Sequence, residues 1–230
     1  EDFYYACDRL GVLVIQDMVN SGEYRFFRDT VLGTAGLPLS DRKRVTDGRM
    51  DFFVSHSTET VRHLYDHPCV IAYTIFNEGW GQFDSDRLYD TLKACDGTRL
   101  YDSTSGWFRQ EKSDFDSEHI YFRLKKLRPK TRPLLVSECG GYSFNLNGQS
   151  RTYGYGKCAS REELTARIER LYEKMILPAI ASGCCGCIYT QLSDIEDEIN
   201  GLYSYDRQIC KVDKERLCAV AARLTEEIRR

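Results

Sequence analysis

The stretch CVIAYTIFNEGWGQFD, Cys69–Asp84, decides how the rest of the chain is read. It opens as an unbroken apolar run and ends with Asn77 and Glu78 side by side, followed at once by Gly79, Trp80 and Gly81. A run of this length, polar only at its end, reads as a strand buried on both faces, Cys69 to Phe76. A carboxylate at the tip of such a strand stands where a rigid sheet presents chemistry to a ligand.

Working outward, strands and helices alternate. FYYACDRL is helical and stops at Gly11, a good C-cap residue. VLVIQD (Val12–Asp17) is a strand, followed by a long polar, glycine-bearing stretch. DFFVSHSTETVRHLYDH has helical spacing over its second half. After the central strand come a helix (Asp86–Asp96), the strand TRLYDS, the short strand EHIYF (Glu118–Phe122), a short helix RLKKLR and the strand PLLVSE (Pro133–Glu138). Ser160-Arg161-Glu162-Glu163 has capping-box spacing and opens a long amphipathic helix that ends near Gly183. CGCIYTQ is another strand, and VDKERLCAVAARLTEEI closes the chain as a helix.

Six strands separated by helices indicate an α/β protein with a parallel sheet covered on both sides. An open doubly wound sheet and a closed (β/α) barrel both fit. Asp17, Glu78, Asp102, Glu138 and Gln191 fall at or just past the C-terminal ends of their strands, which is where barrel enzymes place active-site groups around one rim. An open sheet would instead show a glycine-rich first turn, and none is present. The reading is a (β/α)8 TIM barrel that is incomplete. Strands 3–8 are present and the first two are missing, with residues 1–230 forming one partial domain.

A second strand ends as the first does. PLLVSECGG puts Glu138 at its tip, ahead of Gly140 and Gly141. Two glutamates on two strand tips form the constellation that glycoside hydrolysis needs: one carboxyl protonated to release the leaving oxygen, the other ionised to meet an oxocarbenium-like carbon. Either glutamate taken singly is as well explained as a structural ion-pair partner.

The motifs HPCVIAYTIFNEGWG, LLVSECGG, YTQLSDIEDEINGLYSYDR and FYYACDRLGVLVIQDM together resemble the catalytic barrel of the family 2 glycoside hydrolases, a family that includes β-galactosidases, β-glucuronidases and β-mannosidases. The likeness spans Phe3 to Arg207. It implies that Glu78 is the general acid/base, Glu138 the nucleophile, and Asn77 a ligand of the sugar 2-hydroxyl. It implies retention of configuration, with carboxyl groups about 5–5.5 Å apart, and no cofactor. Tyr121 matches a tyrosine that hydrogen-bonds the nucleophile, and His119 shares its strand face by period-2 alternation; a core role fits either equally. Trp80 suits a pocket wall. Trp107 offers an aromatic face to a sugar ring or simply packs. Asp102 faces the pocket or caps a turn.

Other features read more plainly. A net charge of −3 gives no reason to expect nucleic acid; the basic cluster RLKKLRPKTR reads as a solvated surface. No apolar run reaches the ~18 residues that would cross a bilayer. Ten cysteines at irregular spacing read as buried thiols of a reducing, cytoplasmic compartment, and the C-x-x-C of Cys184–Cys187 lacks a second ligand pair. The acidic run DIEDEIN matches no calcium loop, so no metal is expected. His56, His63 and His67 read as structural or exposed. Gly141–Cys158, glycine-rich and aromatic, is expected to form a mobile loop over the pocket.

The chain opens inside a helix pattern, so an upstream part is expected to be missing. With it would go the sugar-binding and immunoglobulin-like domains that family 2 enzymes carry. A barrel short of two strands exposes edges, hence an expected homo-oligomer through that edge. The leading function is a retaining exo-β-glycosidase acting on a carbohydrate substrate, most like β-galactosidase or β-glucuronidase. The alternative is a non-catalytic carbohydrate-binding or scaffolding fragment.

Overall fold

The computed structural model describes residues 2–19, 25, 27–33, 35, 37, 40–41, 48–146, 148 and 152–229. Much of the polar stretch after the first strand therefore lies outside the described residues. Two compact units divide the chain, residues 1–117 and 118–230.

The first unit starts with α1 (Asp2–Leu10). Gly11, at φ +69°, ends it, and the Val12 amide bonds back to the Cys7 carbonyl at 3.0 Å. Glycine supplies this left-handed turn without a β-carbon penalty. Strand β1 (Val14–Asp17) follows, then a π-helical turn (Phe27–Leu32), α2 (Arg49–His63), β2 (Val70–Asn77), α3 (Ser85–Cys95) and β3 (Leu100–Ser105). The three strands lie in the order β1-β2-β3 and run parallel, with Asp17 level with Thr74 and Asn77 level with Ser105.

In β2 Tyr73, Ile75 and Phe76 are all fully buried, so both faces of the strand are covered. Each such side chain contributes about 1.5–3 kcal/mol of hydrophobic stabilisation. Phe53 of α2 stacks on Phe76 with ring centroids 5.0 Å apart, while Leu88 and Leu92 of α3 join the same core. Asp114 fastens β3 to α3, accepting from the Tyr101 amide, Lys93 Nζ and the Tyr89 hydroxyl at 2.7–2.8 Å.

The second unit is built on β4 (Asp116–Ile120), whose first two residues belong to the preceding unit, β5 (Leu134–Gly140) and β8 (Cys184–Thr190), in the order β4-β5-β8. β5 and β8 are parallel, Leu134 level with Cys184 and Gly140 with Thr190. Between them come the two-residue strands β6 (Ser143–Phe144) and β7 (Lys157–Cys158), which pair with each other. A long helical segment follows: α4 (Arg161–Leu171), a π-helical turn (Tyr172–Ile176) and α5 (Leu177–Ile180). α6 (Lys214–Ile228) closes the chain.

The Ser160 cap forms as its spacing suggests, while Glu163 reaches back one residue further, to Ala159. Ser160 Oγ accepts from the Glu163 amide at 3.1 Å, and Glu163 Oε2 accepts from the Ala159 amide at 2.8 Å. Leu164, Ile168, Leu171, Met175 and Ile176 are all buried.

Four expectations need correction. Glu138 is the fifth residue of β5, two short of its end at Gly140, because the ladder to β8 carries on to Thr190. Residues 123–128 are not helical: six residues crowded with like charge and ending against Pro129 cannot offset the cost of nucleating a helix. The short strand runs from Asp116 to Ile120, so Tyr121 lies just past its end. Asp102 is three residues short of the end of β3, level with Thr74, because the ladder to β2 carries on through Ser105.

Among the described residues no helix is long and apolar enough to cross a membrane.

Candidate active site

In the first unit the C-terminal end of β2 holds Asn77 and Glu78. The Glu78 amide donates to the Ser105 carbonyl at 3.0 Å, which continues the β2–β3 ladder by one residue and fixes where the side chain starts. Glu78 itself adopts φ +52°, a left-handed conformation that non-glycine residues enter at a cost. Gly79 and Gly81 are also left-handed, at φ +73° and +62°, and the Trp80 amide closes a turn onto the Asn77 carbonyl at 3.0 Å. A β-carbon on Gly79 would fall 1.9 Å from Phe108 Cδ2. The glycine is thus required both for the turn and for the ring packed beneath it.

Glu78 is 7% exposed. The Asn77 side-chain oxygen is buried with no hydrogen-bond partner among the described residues. Trp80 is 41% exposed. Trp107 is half-buried against Gly33, where a β-carbon would come within 2.6 Å of its ring. Asp102 is buried in mid-strand, its Oδ1 accepting from Ser113 Oγ at 3.3 Å. It is removed from the strand tip by the three residues that follow it.

In the second unit β4 and β5 bring three of the expected residues together. The Tyr121 hydroxyl donates to Glu138 Oε2, and His119 Nδ1 lies 3.6 Å from the same oxygen, its side chain fully buried. The Glu138 side chain keeps 25% of its surface exposed. Beyond Glu138, Cys139 is buried, and that burial pushes its thiol up. Gly140 and Gly141 both have positive φ, and a β-carbon on Gly140 would sit 2.3 Å from the Tyr189 ring.

Gln191 follows the end of β8. Its side-chain Nε2 donates to Asn200 Oδ1 at 2.7 Å, and Asn200 Nδ2 to Glu198 at 2.9 Å. The acidic run is a structural loop: Lys211, fully buried, holds Asp194 through both carboxylate oxygens at 2.7 and 2.9 Å and the Ile199 carbonyl at 2.8 Å. Burial lowers the Lys211 ammonium, against the pull of Asp194.

The cysteines are free thiols, but they are not all buried as expected: Cys185 and Cys218 are exposed and Cys95, Cys187 and Cys210 half-buried, and burial pushes Cys187 up to about 11. A concavity of about 390 Å³ in the second unit is lined by Lys125, Lys126, Lys174, Met175 and Pro178 among others. None of the residues expected at a site borders it.

The segment 141–158 is tied down where it is described. Besides the β6–β7 pair, the Tyr153 amide donates to the Asp197 carbonyl at 2.7 Å and the Ile199 amide to the Tyr153 carbonyl at 3.0 Å. Residues 147 and 149–151 lie outside the described set. One residue of this segment was not singled out from sequence: Tyr155, whose ring stacks on Tyr121. It stands among several tyrosines in an irregular stretch with no period to mark it.

No curated protein sequence matches the chain. Among solved structures it is similar to a family 2 β-galacturonidase from Eisenbergiella tayi bound to galacturonate (14% identity, TM-score 0.60, 99% of this chain and 43% of that one). It is also similar to a β-glucuronidase from Parabacteroides merdae (17%, 0.59, 90% and 30%) and to a β-D-glucuronidase from Dictyoglomus thermophilum (12%, 0.61, 98% and 42%). The chain thus spans less than half of each, and at these identities the likeness speaks for the fold. Residues 1–154 match the family model described as "Glycosyl hydrolases family 2, TIM barrel domain". With more than half of its length matched in this way, the chain belongs to family 2 of the glycosyl hydrolases and carries part of that family's TIM barrel.

Proposed function

We propose that this chain is the catalytic part of a retaining exo-β-glycosidase. Glu138 is the nucleophile, and Glu78 is the general acid that protonates the leaving oxygen and then the base that activates water. In the first step the Glu138 carboxylate attacks the anomeric carbon as the bond to the aglycone oxygen breaks, and that oxygen takes the proton of Glu78. In the second, water gives its proton to Glu78 and displaces Glu138, restoring both carboxyl groups. Asn77 binds the sugar 2-hydroxyl, a contact that strengthens in the transition state. Trp80 and Trp107 supply aromatic surface for the sugar ring. In this reading the strands are the third to eighth of the barrel.

The observation that carries the proposal is the Tyr121 hydroxyl bonded to Glu138 with His119 beside the same oxygen. A carboxylate bonded this way is held in one orientation, as a nucleophile must be. The sugar is a β-galactoside or, in keeping with the solved relatives, a β-linked uronic acid.

The test is covalent labelling with a panel of 2-deoxy-2-fluoro β-glycosides, galacto- and glucurono-configured, read by mass spectrometry of peptides. We expect the label on Glu138 and none in Glu138→Gln. Absence of label from the unmodified protein with every sugar would favour a non-catalytic, carbohydrate-binding role instead. Loss of the acid in Glu78→Ala should slow hydrolysis of poorly activated substrates about 10²–10⁴-fold and spare those whose leaving group needs no proton.

A further inference from the structure

The Tyr121 ring does not hold itself in place. It is covered face-on by Tyr155, with centroids 3.9 Å apart and planes 10° from parallel. Tyr155 is fixed from several directions. Its amide donates to the Gly141 carbonyl at 2.7 Å, and the Gly141 amide in turn to the Thr190 carbonyl at 2.9 Å. A β-carbon on Gly141 would lie 2.6 Å from the Tyr155 ring, so the ring occupies space that only glycine leaves open.

The Tyr153 hydroxyl meets that of Tyr155 at 2.9 Å. Tyr153 is itself pinned by backbone bonds to Asp197 and Ile199, in the loop that Lys211 anchors through Asp194 and the Ile199 carbonyl. Phe122 closes one side, edge-on to Tyr155 at 5.3 Å. Packed contacts thus run unbroken from the buried Lys211 to the carboxylate of Glu138.

We propose that Tyr155 is a positioning residue for this reaction: by stacking on Tyr121 it holds the tyrosine hydroxyl on Glu138 and so keeps the carboxylate aimed. The inference rests on Glu138 being the nucleophile. Tyr155 acts through the Tyr121 ring and is assigned no contact with the sugar. Its effect therefore belongs in the rate of the covalent step and not in sugar binding. A misdirected nucleophile is costly because reactivity falls steeply with small displacements.

The experiment measures inactivation by the 2-deoxy-2-fluoro glycoside that labels best, in Tyr155→Leu, Tyr155→Phe, Tyr121→Phe and the double variant Tyr121→Phe/Tyr155→Leu, alongside crystal structures of the two Tyr155 variants. In Tyr155→Leu the limiting inactivation rate should fall about tenfold while the inhibitor's binding constant stays within about twofold. Tyr155→Phe, which keeps the stack, should restore most of the rate. Adding Tyr155→Leu to Tyr121→Phe should cost little more, since its route of action is already cut. The crystal structure of Tyr155→Leu should show the Tyr121 hydroxyl swung away from Glu138.

A change in binding constant alone, independent losses in the double variant, or a Tyr121 hydroxyl that stays on Glu138 in Tyr155→Leu would each overturn the proposal. If the unmodified protein takes no label, the glycosidase reading falls, and the crystal structures still decide whether Tyr155 holds Tyr121.

Discussion

Glu78 and Gly79 show what one residue must tolerate for a carboxylate to leave a strand sideways. Both sit in the left-handed region, where a side chain costs about 1–2 kcal/mol. Glu78 bears that cost at its own position, a pattern seen where backbone strain serves a site. Gly79 avoids it, and its missing β-carbon leaves room for Phe108. Gly79→Ala adds the backbone strain and a collision with a buried ring, and we expect a loss of about 2–4 kcal/mol, measured by urea unfolding. A variant as stable as the parent would show that the Phe108 ring yields freely.

At the scale of elements, two polar ties do what apolar packing does elsewhere. The loop between β8 and α6 is clamped by the buried Lys211–Asp194 pair, with Asp194 only 12% exposed. Removing one partner leaves a buried charge alone, so Lys211→Ala should destabilise by about 3–5 kcal/mol, whereas Lys211→Met with Asp194→Leu should cost far less. Chemical denaturation of the three proteins decides this.

The other tie joins α1 to the start of β2. Asp8 bonds His67 Nδ1 at 2.7 Å and the Cys69 amide at 2.8 Å, and its carboxyl is lowered from 3.8 to about 2, chiefly by the Cys69 side chain and then by His67. A carboxylate with a depressed folded-state pKa stabilises above its ordinary value and loses that contribution as pH falls through the folded one. The gap in melting temperature between the parent and Asp8→Asn should therefore be full above pH 3.8 and close as the pH drops towards about 2. A gap that stays constant over that window would mean the tie does not depend on charge.

For the molecule as a whole, edges matter. Strand β1 is the outer strand of its sheet among the described residues, and Leu10, Val12, Leu13 and Val19 beside it are 50–77% exposed. An open edge flanked by apolar side chains is a template for pairing with another chain. We expect this chain, on its own, to self-associate with rising concentration, and Leu13→Lys to weaken the association, as read by sedimentation velocity. A monomer at every concentration would count against it.

Much of this was legible in the residues. The buried strands, the glycine stop at Gly11, the helix start at Ser160 and the polar end of β2 follow from period, composition and turn chemistry, which are local properties of a chain. The family was legible too, because long motifs around Asn77-Glu78 and Glu138 keep their order. Local rules failed where neighbours outvoted them. The stretch at Arg123–Arg128 has helical spacing but no length to nucleate, and Asp102 looks terminal only until the ladder to β2 carries β3 on to Ser105. The packing of Tyr155 on Tyr121 across 34 residues of sequence, and the burial of Lys211 against Asp194, were decided by tertiary structure alone. Contacts between residues far apart in the chain leave no period to read, since they are fixed only when separate elements close on one another.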